Sequence, residues 1–175
     1  MKKFTQIINE NTVDFIDDNI RIQIIDMLQV ALAEEFNAWY QYTIVSKFLK
    51  GINRPDVEKF YEEAAKDEFE DHAMFLIERI SQLGGYPSKL MTPTDWNVIA
   101  EHKYIIPEFT SEGDIILAES IDQNIIAEKG AIETYSKIEE FTRNIDVVTN
   151  SKIKQILKDE QEHLQELLDF KKDIN

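Results

Sequence analysis

Residues 153–170 read IKQILKDEQEHLQELLDF. Within them Ile153, Ile156, Glu160, His163, Leu167 and Phe170 are spaced 3, 4, 3, 4, 3, which is one face of an α-helix. The stripe is apolar at both ends and polar in the middle, so Glu160 and His163 point where a core belongs. Three other segments repeat the pattern. The first carries Leu28, Leu32, Glu35, Trp39 and Tyr42, and the second Tyr61, Ala65, Glu68, His72 and Phe75. The third carries Leu117, Ile121, Ile125, Glu128, Ile132 and Tyr135. No stretch of useful length alternates at period two, so the fold class is all-α, a four-helix bundle.

Helix bounds follow from the stop signals. The first helix runs from about Asn19 to Leu49, and Gly51 and Pro55 break the chain after it. The second runs from about Pro55 to Leu83 and stops at Gly84-Gly85. The third starts at Ser111 or Asp114, either of which is a suitable cap, and ends near Phe141. The fourth starts at Asn150 or Ser151 and ends near Lys172. The short first and last connections make antiparallel neighbours. Between the second and third helices, residues 84–110 hold Pro87, Pro93 and Pro107, and a connection of that length fits a crossing of the whole bundle. The expected order is therefore up-down-down-up, with a short helix over Asp95–His102 on the way. Residues 1–18 read as an N-terminal arm and 19–175 as the bundle domain.

Composition narrows the function. The 175 residues contain no cysteine, which excludes a disulfide framework, cysteine-ligated metal and a thiol nucleophile. Nineteen Lys and Arg against 34 Asp and Glu give a net charge of −15, so DNA and anionic membranes are poor partners and cations good ones. No run approaches a membrane span. The opening MKKFTQIINENTVDF has no apolar stretch, so no secretory leader is expected and the cytoplasm is the expected location.

A single inward glutamate has ordinary explanations, and a single inward histidine is usually a satisfied core residue. Four helices each turning a glutamate inward at mid-length, two of them with a histidine one turn on, need another account. Four bare carboxylates in a core are very costly, and no matching inward Lys or Arg is available. Two divalent cations cancel the charge, with two neutral imidazoles completing the ligand set. Oxygen and imidazole ligation suits iron or manganese, and zinc less specifically. Glu34 falls on another stripe, with Val30, Ala38 and Gln41, and is expected to be more exposed; Glu62, Glu63, Glu139 and Glu140 read as solvated surface. His102 reads as a surface residue, and Trp39 and Trp96 as packing residues.

These residues resemble the ferritin-like di-iron carboxylate superfamily, in which two helices give one Glu each and two give Glu-x-x-His. The stretches that carry the likeness are EEFNAWYQY (34–42), DEFEDHAMFLIERISQLGG (67–85), AEKGAIETY (127–135) and ILKDEQEH (156–163). More narrowly, the chain resembles Dps-like mini-ferritins, related to thioferritins, that hold a bacterioferritin-type site. The resemblance implies Glu35 and Glu128 as terminal ligands, Glu68 and Glu160 as bridges, and His72 and His163 as one ligand on each metal. Tyr42 becomes the tyrosine that hydrogen-bonds to a ligand or is itself redox-active. The chain departs in two places. Glu68-x-x-x-His72 is one residue too long, which a π-bulge between them would correct, and the thioferritin cysteine pair is missing, with Gly130 at one of its positions.

The implied function is a ferroxidase and iron-storage or detoxification protein. It would oxidise Fe2+ with hydrogen peroxide or O2 at an intrasubunit site of two irons, with manganese or zinc as substitutes, and hold ferric oxide in a hollow cage. No haem is expected, since Phe69 and Glu70 fill the candidate methionine positions. A fifth helix is missing before the end at Asn175, which favours a twelve-subunit homo-oligomer. The alternatives are a di-manganese or di-iron peroxidase or catalase that stores nothing, and a DNA-protecting protein of the Dps type.

Overall fold

The computed structural model describes residues 16–51, 54–86, 96 and 98–174. Helix α1 (Asp18–Phe48) starts where the Asp17 side chain accepts the backbone N–H of Asn19 and Ile20. That satisfies two of the donors a helix leaves open at its start. It runs into the two-residue strand β1 (Leu49–Lys50). Helix α2 is continuous over 54–82 in three parts: α-helical Arg54–Lys66, π-helical Asp67–Ala73 and α-helical Met74–Gln82. It ends at Gly84, whose φ of 78° only glycine adopts without strain, with Gly85 N–H returning to Ile80 O at 2.9 Å. Strand β2 (Ile115–Ile116) then leads into α3 (Leu117–Thr142), and α4 (Val147–Asp173) completes the bundle.

Three contacts give the helix directions. Arg21 Nη1 donates to Leu83 O at 2.8 Å, so α1 begins beside the end of α2 and the two are antiparallel. β1 and β2 pair in parallel, Leu49 opposite Ile115 and Lys50 opposite Ile116. The end of α1 therefore lies beside the start of α3, which leaves α2 and α3 parallel. Arg79 reaches Asp146 at 2.8 Å, placing the end of α2 against the start of α4. The order is up-down-down-up, with the long crossover between α2 and α3.

Two helix starts differ from the sequence expectation. α3 begins at Leu117, not at Ser111 or Asp114, because Ile115 and Ile116 stay extended to pair with β1 and Gly113 (φ 81°) turns the chain before them. α4 begins at Val147, three to four residues early. Asp146 is its cap and accepts from Thr149 N–H at 3.1 Å, while Asn150 donates to Glu139 O at 2.7 Å. Of the short crossover helix, Trp96, Val98 and Ile99 are helical, with Ala100 N–H bonded to Trp96 O at 2.9 Å, and His102 lies beyond it. The proposed arm falls almost wholly outside the described residues. Among those described, no helix is long and apolar enough to cross a membrane.

The core divides into two apolar clusters. One holds Ile24, Leu28, Leu32, Leu76, Ile80 and Ile153, the other Val45, Leu49, Val57, Tyr61, Ile121 and Leu167. Each fully buried Leu or Ile side chain stabilises the fold by about 1.5–3 kcal/mol. Between the clusters lie buried Glu35, Glu68, Glu128 and Glu160, where every helix turns a glutamate inward.

Candidate metal centre

The π-helical turn decides the geometry of α2. It widens the helix by one residue across Asp67–Ala73, so Glu68 and His72, four apart, are both buried and share the inner face as Glu160 and His163 do at three apart on α4. Phe69 is turned outward instead and packs against Trp39 (ring centroids 5.2 Å) and Phe36 (6.5 Å). Trp96 in turn lies 4.9 Å from Phe36.

Six side chains converge from one chain. Glu35, Glu68, His72 and Glu160 present ligand atoms within 4.8 Å of one another, and so do Glu68, Glu128, Glu160 and His163. The two groups share Glu68 and Glu160. His72 Nδ1 lies 2.9 Å from Glu68, 3.3 Å from Glu160 and 3.4 Å from Glu35; His163 Nδ1 lies 3.4 Å from Glu68 and 3.7 Å from Glu160. Both imidazoles thus turn Nδ1 into the cluster.

Burial and charge set the protonation. Burial, reinforced by the neighbouring Glu68, pushes the Glu35 carboxyl well above its ordinary range, and burial with Glu160 does the same to Glu128. Burial opposes ionisation at Glu68 and Glu160 too, but the imidazoles of His163 and His72 facing them overcome it and hold both below the usual carboxylate value. Burial also opposes charging of the two imidazoles, and the surrounding carboxylates override it, so both are raised.

The residues fit a pair of divalent cations. Glu35 Oε2, Glu68 Oε1, Glu128 Oε2, both oxygens of Glu160 and Nδ1 of His163 are buried without a hydrogen-bond partner. A core seldom leaves six such atoms together, because each unsatisfied group costs about 1–3 kcal/mol. A metal ion would satisfy these atoms, with the imidazole proton released on binding.

The supporting groups show a near two-fold arrangement. Tyr42 OH donates to Glu128 Oε1 and Tyr135 OH to Glu35 Oε1, each tyrosine holding the carboxylate of the other helix. Outward, His72 Nε2 faces Asp159 at 3.6 Å and His163 Nε2 faces Asp67 at 3.8 Å. A carboxylate behind an imidazole orients the ring and favours the lone pair on the other nitrogen. Sequence reasoning singled out Tyr42 and missed Tyr135, Asp67 and Asp159 in these roles. Their signal was there to read: Tyr135 follows Glu128 by seven residues, as Tyr42 follows Glu35, and an Asp immediately precedes both Glu68 and Glu160.

Three expectations about other polar residues are corrected. Glu34 is 2 % exposed, not solvent-facing. The crossover lies over it, and Glu34 Oε1 accepts the His102 backbone N–H at 2.8 Å. His102 is accordingly half-buried, its Nδ1 3.1 Å from Thr134 Oγ1. Gly130 provides the space, since a Cβ there would sit 2.5 Å from the His102 ring. Glu139 is also largely buried, held by Arg143 at 2.6 Å and by Asn150.

Comparison with known proteins agrees with this geometry. A model of the ferritin-like domain matches residues 25–175. Among solved structures, a dodecameric thioferritin of Bacteroides fragilis, a bacterioferritin-related protein, is 34 % identical with a TM-score of 0.81, the match covering 92 % of this chain and 89 % of that one. An archaeal Dps homologue from Halobacterium salinarum (21 % identity, TM-score 0.78) and the bacterioferritin of Desulfovibrio desulfuricans (24 %, 0.72) share the fold, each over 89 % of this chain and 82 % of theirs. No curated protein matches the chain. Taken with the up-down-down-up bundle and the inward carboxylates at its middle, these matches mean that the chain belongs to the ferritin-like domain family.

Proposed function

We propose that the chain is a ferroxidase that takes up Fe2+ and stores the oxidised product. The observation that supports it is the pair of ligand groups sharing Glu68 and Glu160. In this reading Glu68 and Glu160 bridge two irons, Glu35 with His72 completes one position, and Glu128 with His163 completes the other. Each Fe2+ yields one electron. Hydrogen peroxide takes two electrons and two protons to give two waters, so a paired site need release no radical; O2 is the other candidate oxidant.

The chain's own residues do the rest. Two bridging carboxylates hold the ions at a common distance, and Tyr42 and Tyr135 keep Glu128 and Glu35 from swinging away. The acidic surface, at net charge −15, draws Fe2+ inward and would do so less at high salt. The thioferritin of Bacteroides fragilis is a dodecamer; a twelve-subunit shell of this chain would enclose the ferric oxide.

The test is anaerobic Fe2+ titration of metal-free protein, followed by peroxide with optical detection, on the native chain and on Glu160→Ala. Saturation near two Fe2+ per chain and rapid oxidation lost in the variant are expected. No stoichiometric uptake, or oxidation untouched by the substitution, would overturn the reading.

A further inference from the structure

Beyond the two buried groups, the described residues contain a third set of ligand atoms spaced for a metal ion. Oxygens of Asp71 and Asp159 and a ring nitrogen of His72 lie within 4.8 Å of one another. This set differs in position and in solvent access. The side chains of Asp71 and Asp159 are 53 % and 35 % exposed, on the outer surface between α2 and α4. Two surface carboxylates alone are ordinary. Behind them, however, stands a fully buried imidazole whose Nε2 faces Asp159 at 3.6 Å and has no hydrogen-bond partner.

We propose that Asp71, Asp159 and His72 Nε2 form a transit site at which a divalent cation is held before it reaches the buried centre. The proposal rests on the reading of that centre as metal-binding. Two carboxylates and an imidazole suit the same ions as the interior does. The outer position lets a cation shed its water in stages, which matters because moving a bare ion straight into a core is very costly. The next ligand inward is Glu160, the chain neighbour of Asp159, and both of its oxygens lack a hydrogen-bond partner.

The imidazole makes the site temporary. A cation at Nε2 takes the place of that nitrogen's proton, which leaves to solvent, and the neutral ring then has a single lone pair, so a cation at Nε2 and one at Nδ1 exclude each other. With the interior filled through Nδ1, Nε2 keeps its proton as a donor towards Asp159, and the outer position loses a ligand. Empty, its carboxylates face lysines: Lys152 lies 2.6 Å from Asp71, and Lys158, paired with Glu162 at 2.7 Å, stands 3.9 Å from Asp159. An arriving cation displaces those ammonium groups.

Stopped-flow mixing of metal-free protein with Co2+ tests this, following the visible absorption of the filled centre. Asp71→Asn is compared with Glu70→Gln, which removes one charge from the neighbouring residue outside the set. Asp71→Asn should slow loading about tenfold, the lower end of what focused charge adds to an on-rate, while Glu70→Gln loads at the native rate. Both should end at two Co2+ per chain. Equal slowing by the two substitutions, or none by Asp71→Asn, would overturn the transit site and leave the buried centre standing. If the native chain binds no stoichiometric Co2+, the centre itself fails and the transit site with it.

Discussion

Filling the buried centre with two Zn2+ at neutral pH should expel about four protons per chain. The number comes from the charges already described. Without a cation, burial favours the protonated form of Glu35 and Glu128, whereas the facing histidines favour the ionised form of Glu68 and Glu160. The same carboxylates raise His72 and His163 and favour their charged forms. Two imidazoliums against two carboxylates sum to zero, as a cluster this deeply buried requires. Two Zn2+ need all four carboxylates ionised and both Nδ1 atoms free, so four protons must leave and the sum stays at zero. The sign follows: affinity rises with pH, and each unit of acidification weakens binding about tenfold for every proton released. Zn2+ titration in weakly buffered solution with a pH indicator counts the protons directly. Calorimetry in two buffers of different ionisation enthalpy gives an independent count. Release of two or fewer would refute the argument, because Glu35 and Glu128 would then already be ionised in the empty centre.

Three further outcomes can be checked. Asp159→Asn removes the carboxylate behind His72 and should weaken Zn2+ binding about 10- to 100-fold, the usual cost of losing such a partner; an unchanged isotherm would show that the 3.6 Å approach does not orient the ring. Asp146→Ala strips Arg79 of its partner and α4 of its cap, which should cost about 3–5 kcal/mol for the buried pair, read by urea unfolding. Burial opposes ionisation of Asp146, but Arg79 and Thr149 hold its folded value below the ordinary one. Its stabilising effect is therefore present above the unfolded value and lost as pH falls through the folded one, so the native chain and the variant should converge in strong acid. Gly130→Ala would stabilise an open helix by up to about 1 kcal/mol. Here the added methyl meets the His102 ring, and a net loss of about 1–3 kcal/mol is expected instead; a rise in Tm would mean that the crossover yields without cost.

Much of the centre was legible because helical periodicity is local. Glu35, Glu68, Glu128 and Glu160 each interrupt an apolar stripe, and a stripe can be read from the spacing of a few residues. The π-turn was legible for the same reason: a four-residue gap between Glu68 and His72 conflicts with the three-residue gap at Glu160 and His163 unless the helix is locally widened. Glu34 was misread because its own helix says nothing about a segment 68 residues away that lies across it. The starts of α3 and α4 were misplaced because Ser111, Asp114, Asn150 and Ser151 are all good caps by type. The choice was made by β1 pairing with β2 and by Arg79 holding Asp146.

By itself the sequence determined an all-α bundle, the direction of its crossover and the six inward side chains, since each depends on spacing along the chain or on the length of a connection. The tertiary structure decided what those side chains face. It assigned Tyr135 to Glu35, placed Asp67 and Asp159 behind the imidazoles of opposite helices, and lodged His102 in the space at Gly130. Those relations join residues far apart in sequence, and they exist only once the packing of four helices has brought their faces together.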